Sequence, residues 1–517
     1  MMSEAGFPFL SVLTALPAVG ALVVMLVPRR QAAMAKLIAL VWSLVVLGLA
    51  IAMFFGFKPN GARFQFRESY PWIPTWDVRF TFAADGIALV MVALVALLVP
   101  LVIVYSWPGP EGEARTPSRR SVPAFFALLL ALESTMIGVF AAADIFLFYV
   151  FFEVMLVPMY FLIGSYGGAR RQYAAVKFFL YSLVGGLFML AAVIGLWVLG
   201  GQTFDWEKLA AADFSTGAER WLFLGFFVAF AIKAPFFPFH TWLPDAGGAA
   251  PAGAAALLVG VLDKVGTFGI LRYCLPLFPN ASSYFAPLAL ALALVGIIYA
   301  ALLAVGQNDL KRLVAYTSVA HFGFIGVGIF AFTTQAGSGA VLYMVNHGLA
   351  TGLLFLVVGM LVSRRGSALV GDFGGAGRFM PLLAGVFLIA GLATLSLPGT
   401  APFVSEFLVL LGTFSVNKAV AVVATVGIVL GAAYVLWMVQ RTIQGTPNPA
   451  LIEVRPMRKD LTLRESVVVA PLIALLLLFG FYPQPLLNVI NPAVAATLQQ
   501  MGKTDPVPTV ERQEAGR

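Results

Sequence analysis

The chain has 517 residues, of which 61% are hydrophobic and 11% charged, against about 25% charged in a soluble domain; its mean hydropathy is +0.94. These values exclude a soluble globular protein and describe an all-α protein that crosses a lipid bilayer many times. The net charge of +8 is dispersed over short loops between apolar runs, which excludes a nucleic-acid surface, and the single cysteine, Cys274, excludes an internal disulfide and a self-contained iron–sulfur cluster, which takes about four protein ligands.

Apolar runs long enough to span, ~20 residues each, predict 14 spans: roughly 7–28, 34–56, 84–107, 121–142, 145–164, 172–200, 220–242, 251–273, 283–304, 311–332, 338–362, 379–411, 419–441 and 466–488. The first run has no basic leader and is read as a span rather than a cleaved signal. The longer connections are 57–83, 108–120, 201–219, 363–378 and 442–465, and the tail from about 489 reads as amphipathic and then polar. Loops after odd-numbered spans, among them those holding Arg115, Arg119, Arg120, Arg455, Arg458 and Lys459, carry 19 of the 32 Lys and Arg. By the positive-inside rule those loops are cytoplasmic and both termini lie outside.

Two spans are interrupted. The seventh breaks at Lys233-Ala234-Pro235…Pro238, and the twelfth at Leu397-Pro398-Gly399-Thr400-Ala401-Pro402, with Glu406 just beyond. Proline removes a backbone donor and breaks a helix, and broken helices at membrane depth survive only against protein or a wet cavity. The two breaks are five spans apart. An odd offset inverts the second copy, so spans 4–8 and 9–13 read as an inverted repeat, a pattern that points to a transport site. The expected units are 1–120 (three spans and a long outer loop), 121–273 and 274–441 (the two repeats) and 442–517 (last span and tail).

Titratable residues inside the spans are few: Glu133, Glu153, Lys233, Asp263, Lys264, His321, His347 and Glu406, with His240 near the end of the seventh. An ionisable group at membrane depth is by default functional. Lys233 and Lys264 lie too far from a span end to reach water by snorkelling. Burial and a nearby opposite charge push a lysine or glutamate in opposite directions, so a Glu–Lys pair that forms and separates can bind and release a proton, and histidine already titrates near neutrality. Asp263 reads as a neighbour that tunes the field at Lys264 rather than a direct relay, since adjacent residues do not share a helix face; it and Glu133 are candidates for tuning rather than conduction. His240 has equal claims to structure and function. Asp85, Asp144 and Asp309 fall at span ends and read as caps. The chain has no C-x-x-C-H haem attachment, no G-x-x-x-x-G-K-[ST] and no G-x-G-x-x-G, so no cofactor is expected in it and the driving energy must come from an ion gradient or a partner.

The segments Phe146–Gly164 (FLFYVFFEVMLVPMYFLIG), Phe230–Ala246 (FAIKAPFFPFHTWLPDA), Asn308–Gly323 (NDLKRLVAYTSVAHFG), Met344–Phe355 (MVNHGLATGLLF) and Leu397–Phe407 (LPGTAPFVSEF) resemble the antiporter-like membrane subunits of respiratory complex I. The resemblance covers roughly residues 80–480. It implies 14 transmembrane helices in two inverted five-helix repeats with helices 7 and 12 broken. It further implies proton translocation as part of NADH:quinone oxidoreductase, with FMN, iron–sulfur clusters and quinone in partner subunits and no redox chemistry here. By position Glu153 resembles the glutamate paired with the broken-helix lysine Lys233, Lys264 the central lysine, His321 and His347 the bridging histidines, and Glu406 the terminal acid. The implied setting is a bacterial inner membrane with antiporter-like subunits L and N as neighbours. Glu406, where those sisters usually carry lysine, and an end soon after span 14 separate this chain from them. Two departures stand out: the run Gly247-Gly248-Ala249-Ala250-Pro251 lacks the His and Glu of many relatives, and Asp263 precedes the central lysine. An Mrp-type sodium/proton antiporter subunit, a membrane-bound hydrogenase subunit and an inert scaffold are the alternatives.

Overall fold

Within a bilayer an apolar segment can satisfy its backbone alone only as a helix, and helices dominate the chain. The computed structural model describes residues 6–109, 121–446, 448 and 460–506; Arg115, Arg119, Arg120, Arg455, Arg458 and Lys459 lie outside these. The long helices are α1 (Phe9–Leu26), α2 (Ala32–Gly56), α3 (Gly86–Tyr105), α4 (Val122–Ala141), α5 (Ile145–Tyr166), α6 (Arg171–Leu199), α7 (Thr216–Lys233), α9 (Ala252–Leu277), α10 (Pro279–Val305), α11 (Leu310–Phe330), α12 (Thr334–Arg365), α15 (Lys418–Ile443) and α16 (Leu463–Phe481). The short α8 (Trp242–Ala249) follows the first break, and α13 (Pro381–Thr394) and α14 (Ala401–Val416) flank the second. Among the described residues, twelve helices are long and apolar enough to cross a membrane; α7 and the α13–α14 pair occupy the two interrupted segments.

Three acids cap as their positions predict. Asp85, Asp144 and Asp309 each accept from the backbone N–H three residues on, at 2.9 Å, and start α3, α5 and α11, satisfying donors that a helix start leaves free. Asp85 does more: it meets Arg272 at 2.7 Å in a buried ion pair.

The connection 57–83 is not a plain loop. It folds into an antiparallel hairpin, β1 (Gln65–Ile73) with β2 (Val78–Ala84), turned at Pro74–Trp76 with Asp77 at φ 51°. The hairpin plugs the start of α1, where the Glu68 carboxylate accepts from Leu10 N at 2.9 Å and Ser11 N at 3.1 Å. The tail forms α17 (Gln484–Gln500), which lies at the same end of the molecule. There Arg63 donates to Gln500 Oε1 and Thr497 Oγ1, both at 2.9 Å.

At that end the hairpin also meets the connections after α4 and α6, through Arg79 N to Asp144 at 3.2 Å and Thr203 Oγ1 to Asp77 at 2.8 Å. At the other end the connections after α5, α8, α10 and α12 join: Gly168 N donates to Ala249 O and Val370 N to Asn308 O, both at 2.8 Å. Successive connections among these helices therefore fall at opposite ends of the bundle. Helices α9, α11 and α12 form the interior, buried over 100%, 94% and 100% of their most apolar windows, whereas α1, α2 and α16 are buried over a third or less. The buried set is the one that carries Asp263, Lys264, His321 and His347.

Candidate functional site

The first break creates the setting for Lys233. Helix α7 ends on this residue, and carbonyls of its last turn, left free where Pro235 interrupts the helix, find other donors. Trp242 Nε1 donates to Ile232 O at 2.9 Å, and Phe236 N to Ala231 O at 2.9 Å. Lys233 is 0% exposed, so it does not snorkel. Its Nζ lies 5.2 Å from the Phe152 ring centre and 5.4 Å from that of Phe178, within the range of cation–π attraction, and has no hydrogen-bond partner.

Glu153, on α5 beside Phe152, is half-buried. It stands within electrostatic reach of Lys233, but its Oε1 and the Lys233 Nζ have no hydrogen-bond partner, so the two place opposite charges near each other without a hydrogen bond between them. What holds the carboxyl is steric. A Cβ built on Gly186 of α6 would lie 1.6 Å from Glu153 Oε1, so glycine alone leaves room for it. The sequence signal for this was only a Gly185-Gly186 pair inside an apolar run.

Asp263 is fully buried, with both carboxyl oxygens unpartnered. It acts electrostatically on Lys264 and also on Lys233, which adjacency in sequence did not reveal. The reason is packing: Gly266 of α9 sits against the break in α7, where a Cβ would come within 2.5 Å of Ala234 N and Phe230 O. Asp263 thus links the two lysines electrostatically.

Lys264 occupies a distorted stretch of α9. Wider π-helical turns at Leu258–Leu262 and Ile270–Cys274 bracket it, and such turns re-aim side chains inside helices, frequently at functional sites. The Lys264 amine donates to the Val259 carbonyl that the first of these turns frees, and lies 2.7 Å from His347 Nδ1. On the far side of that imidazole, His347 Nε2 is 3.1 Å from Ser318 Oγ. The His321 ring stands 5.2 Å from that of His347, with its Nδ1 buried and unpartnered. Lys264, His347 and His321 are therefore brought together from α9, α12 and α11.

The second break places Glu406. Between α13 and α14 the backbone turns sharply, with Ser396 at φ 61° and Gly399 at φ 94°. The restart is pinned by Asn346 of α12, whose Nδ2 donates to Ala401 O at 2.8 Å and Ser405 Oγ at 3.3 Å. Glu406, 4% exposed, accepts from Tyr343 Oη at 3.2 Å. Neither Asn346 nor Tyr343 was among the candidates from sequence, because uncharged residues in an apolar run carry no signal of their own.

The remaining candidates stand apart. Glu133 is fully buried on α4 with both oxygens unpartnered; the structure brings no other candidate to it. His240 is buried against Phe237 and Tyr299, with ring centres at 5.9 and 5.4 Å, and its Nδ1 has no partner. Just beyond it, Asp245 of α8 is held by Lys177 of α6 at 2.8 Å and Arg312 of α11 at 2.5 Å. Burial alone would raise this carboxyl, but its hydrogen bonds and charge contacts with the two cations outweigh that and hold it below the usual carboxylate range. Among the described residues, no three His, Cys, Asp or Glu gather as a metal site.

A bundle of membrane-crossing helices, broken at two points and threaded by buried acids, amines and imidazoles, defines a polytopic membrane protein with ionisable groups gathered in its interior. Residues 142–431 match the family model described as NADH:quinone oxidoreductase/Mrp antiporter, TM. NADH-quinone oxidoreductase subunit M of Mycobacterium tuberculosis is 48% identical, over 97% of this chain and 96% of that protein. NADH-ubiquinone oxidoreductase chain 4 of Marchantia polymorpha is 37% identical, over 96% and 98%. A chain in the structure of respiratory complex I from Thermus thermophilus superposes with a TM-score of 0.85 at 32% identity, over 96% of this chain and all of that one. The Mrp complex from Dietzia shares the fold, with a TM-score of 0.82 at 21% identity. The chain belongs to the subunit M family of the antiporter-like membrane subunits of NADH:quinone oxidoreductase.

Proposed function

We propose that this chain carries protons across the membrane as a translocating subunit of NADH:quinone oxidoreductase, with no electron transfer of its own. The observation that carries the reading is the contact series in the buried helices, Lys264 Nζ to His347 Nδ1 at 2.7 Å, His347 to the His321 ring at 5.2 Å, with Glu406 at the second break. Each group can hold or release a proton, and each lies where water is scarce, so protonation of one changes the energy of the next. Glu153 and Lys233 form the switching pair. When their attraction weakens, the Lys233 amine gives up its proton more readily, and Asp263 passes the change in field to Lys264. Lys264 and the two histidines conduct, and Glu406 hands the proton onward. Glu133 belongs to the surrounding field.

In this reading residues 121–273 and 274–441 are the two inverted repeats, each contributing one break, within a chain bounded by units 1–120 and 442–517. Both termini lie on the outer side of a bacterial inner membrane. Antiporter-like subunits L and N are the neighbours, and FMN, iron–sulfur clusters and quinone reside in partner subunits.

The test replaces Glu153 by Gln, or Lys233 by Ala, in the assembled complex and measures NADH:quinone turnover and proton pumping. Both should fall. Near-normal values in both variants would overturn the reading, and sodium-dependent transport without NADH dependence would favour the antiporter alternative.

A further inference from the structure

We propose that Tyr343 is the proton-transfer link between the paired histidines and Glu406, a role that rests on the relay described above. Lys264, His347 and His321 make one cluster, and Glu406 lies beyond the second break. Tyr343 contacts both sides. Its ring centre is 5.8 Å from that of His321 and 6.4 Å from that of His347, while its hydroxyl donates to Glu406 Oε2 at 3.2 Å.

The placement follows from helix geometry. Tyr343 and His347 are four residues apart on α12 and share a face, so the helix that presents the imidazole to Lys264 also presents the phenol to Glu406. Asn346, on the same turn, fixes the start of α14 by two hydrogen bonds and so sets the height of Glu406 relative to that phenol. Tyr343 is 1% exposed. A phenylalanine would fill the same aromatic space against Phe324 and His321 without burying a hydroxyl. A buried hydroxyl is costly unless it is bonded, and here the bond goes to the acid that ends the series. Ser396 strengthens the assignment. Its hydroxyl is buried next to Glu406 and Tyr343, on a residue held in the left-handed region at φ 61°, a conformation costly for serine and met at functional sites.

A phenol has one proton to donate and lone pairs to accept another. As the Tyr343 O–H proton passes to the Glu406 carboxylate, the phenol oxygen takes a proton from the imidazolium side through a bridging water. The Tyr343 O–H and one imidazolium N–H break while an O–H forms on Glu406 and another on Tyr343, so Glu406 becomes a carboxylic acid, the imidazole becomes neutral, and tyrosine is unchanged. Release of the proton from Glu406 toward the far side restores the carboxylate and resets the step.

The experiment measures NADH:quinone turnover and proton pumping of Y343F, E406Q and the double variant in assembled complex in native membranes, in H₂O and D₂O. Y343F should lower both activities about tenfold, below the ~10²–10⁴ of a positioned acid or base because water replaces the phenol in part, with a larger D₂O effect than wild type. The double variant should be no slower than E406Q alone, since both remove the same step. A residue that only positions Glu406 would leave the isotope effect unchanged. Y343F within twofold of wild type, an unchanged isotope effect, or deficits of Y343F and E406Q that multiply would each overturn the proposal. Y343H, which keeps a group that accepts and donates, should recover activity, and it carries the test alone if Y343F does not assemble: assembled Y343H below a tenth of wild type overturns the link. If E153Q and K233A lose activity while Y343F does not, only the Tyr343 role falls.

Discussion

Replacing Gly186 by alanine should displace a carboxylate while leaving the fold intact. The new Cβ would lie 1.6 Å from Glu153 Oε1, 2.6 Å from Cδ and 3.2 Å from Oε2, where ordinary contact begins at 3.4 Å. Oε1 must therefore move by about 1.8 Å, and it is the end of a flexible side chain on a half-buried residue, so the move costs little. Alanine is favoured over glycine within a helix by about 1 kcal/mol, and assembly should be unchanged or improved. Function should suffer. A carboxylate pushed ~2 Å farther from a cation that stands about 5 Å away loses about 1 kcal/mol of attraction at an effective dielectric constant of ~20, a factor of about five, and this sets the scale for a displacement away from Lys233. Geometry adds to this, since a misplacement of about 1 Å can cost a reaction up to ~10²-fold. G186A should thus lower proton pumping and NADH:quinone turnover between about 5- and 100-fold, measured in membrane vesicles against complex content on a native gel. G48A, whose Cβ meets nothing within 4 Å, should behave as wild type. Wild-type pumping by G186A would refute the idea that the contact with α6 sets the position of Glu153.

Gly266 gives the opposite outcome. Its Cβ would lie 2.5 Å from backbone atoms of Phe230 and Ala234, which cannot swing aside, so G266A should overpack the α7–α9 contact at a cost of about 1–3 kcal/mol and lower both assembly and thermal stability; unchanged stability would show that α9 does not bear on the break. D245N removes the anion held by Lys177 and Arg312 and should destabilise the complex by ~0.5–1 kcal/mol near neutral pH, the scale of partly exposed pairs after solvent screening. Because the Asp245 carboxyl is held below its ordinary range, its contribution is fully present above the unfolded value of about 3.9 and is lost as pH falls through the folded value. Thermal melts of wild type and D245N should therefore differ by a constant amount from pH 7 to about pH 4 and converge only as pH falls further, through the folded value; a difference that persists undiminished at still lower pH would refute the assignment.

The order of the spans and their two breaks could be read along the chain, because the bilayer demands long apolar helices and proline interrupts them wherever it stands. The capping roles of Asp85, Asp144 and Asp309 were equally local, each needing only a carboxylate before an apolar run. Lys233, Lys264 and Glu406 announced themselves by the cost of a charge at membrane depth. Which of these groups meet was not local. It depends on how each helix is rotated and how closely two backbones approach, which hydropathy does not encode. Only the tertiary structure put Glu153 against Gly186, set Asp263 within reach of two lysines, opened α9 at π-helical turns around Lys264 and joined Tyr343 to Glu406. The hairpin over 65–84 was hidden for a related reason: its strands are held by each other and by the start of α1, partners that no single stretch of sequence contains. Composition and periodicity determined that the chain crosses a membrane and where its polar groups lie in depth, whereas lateral contact between helices, a property of packing, decided which of those groups come together.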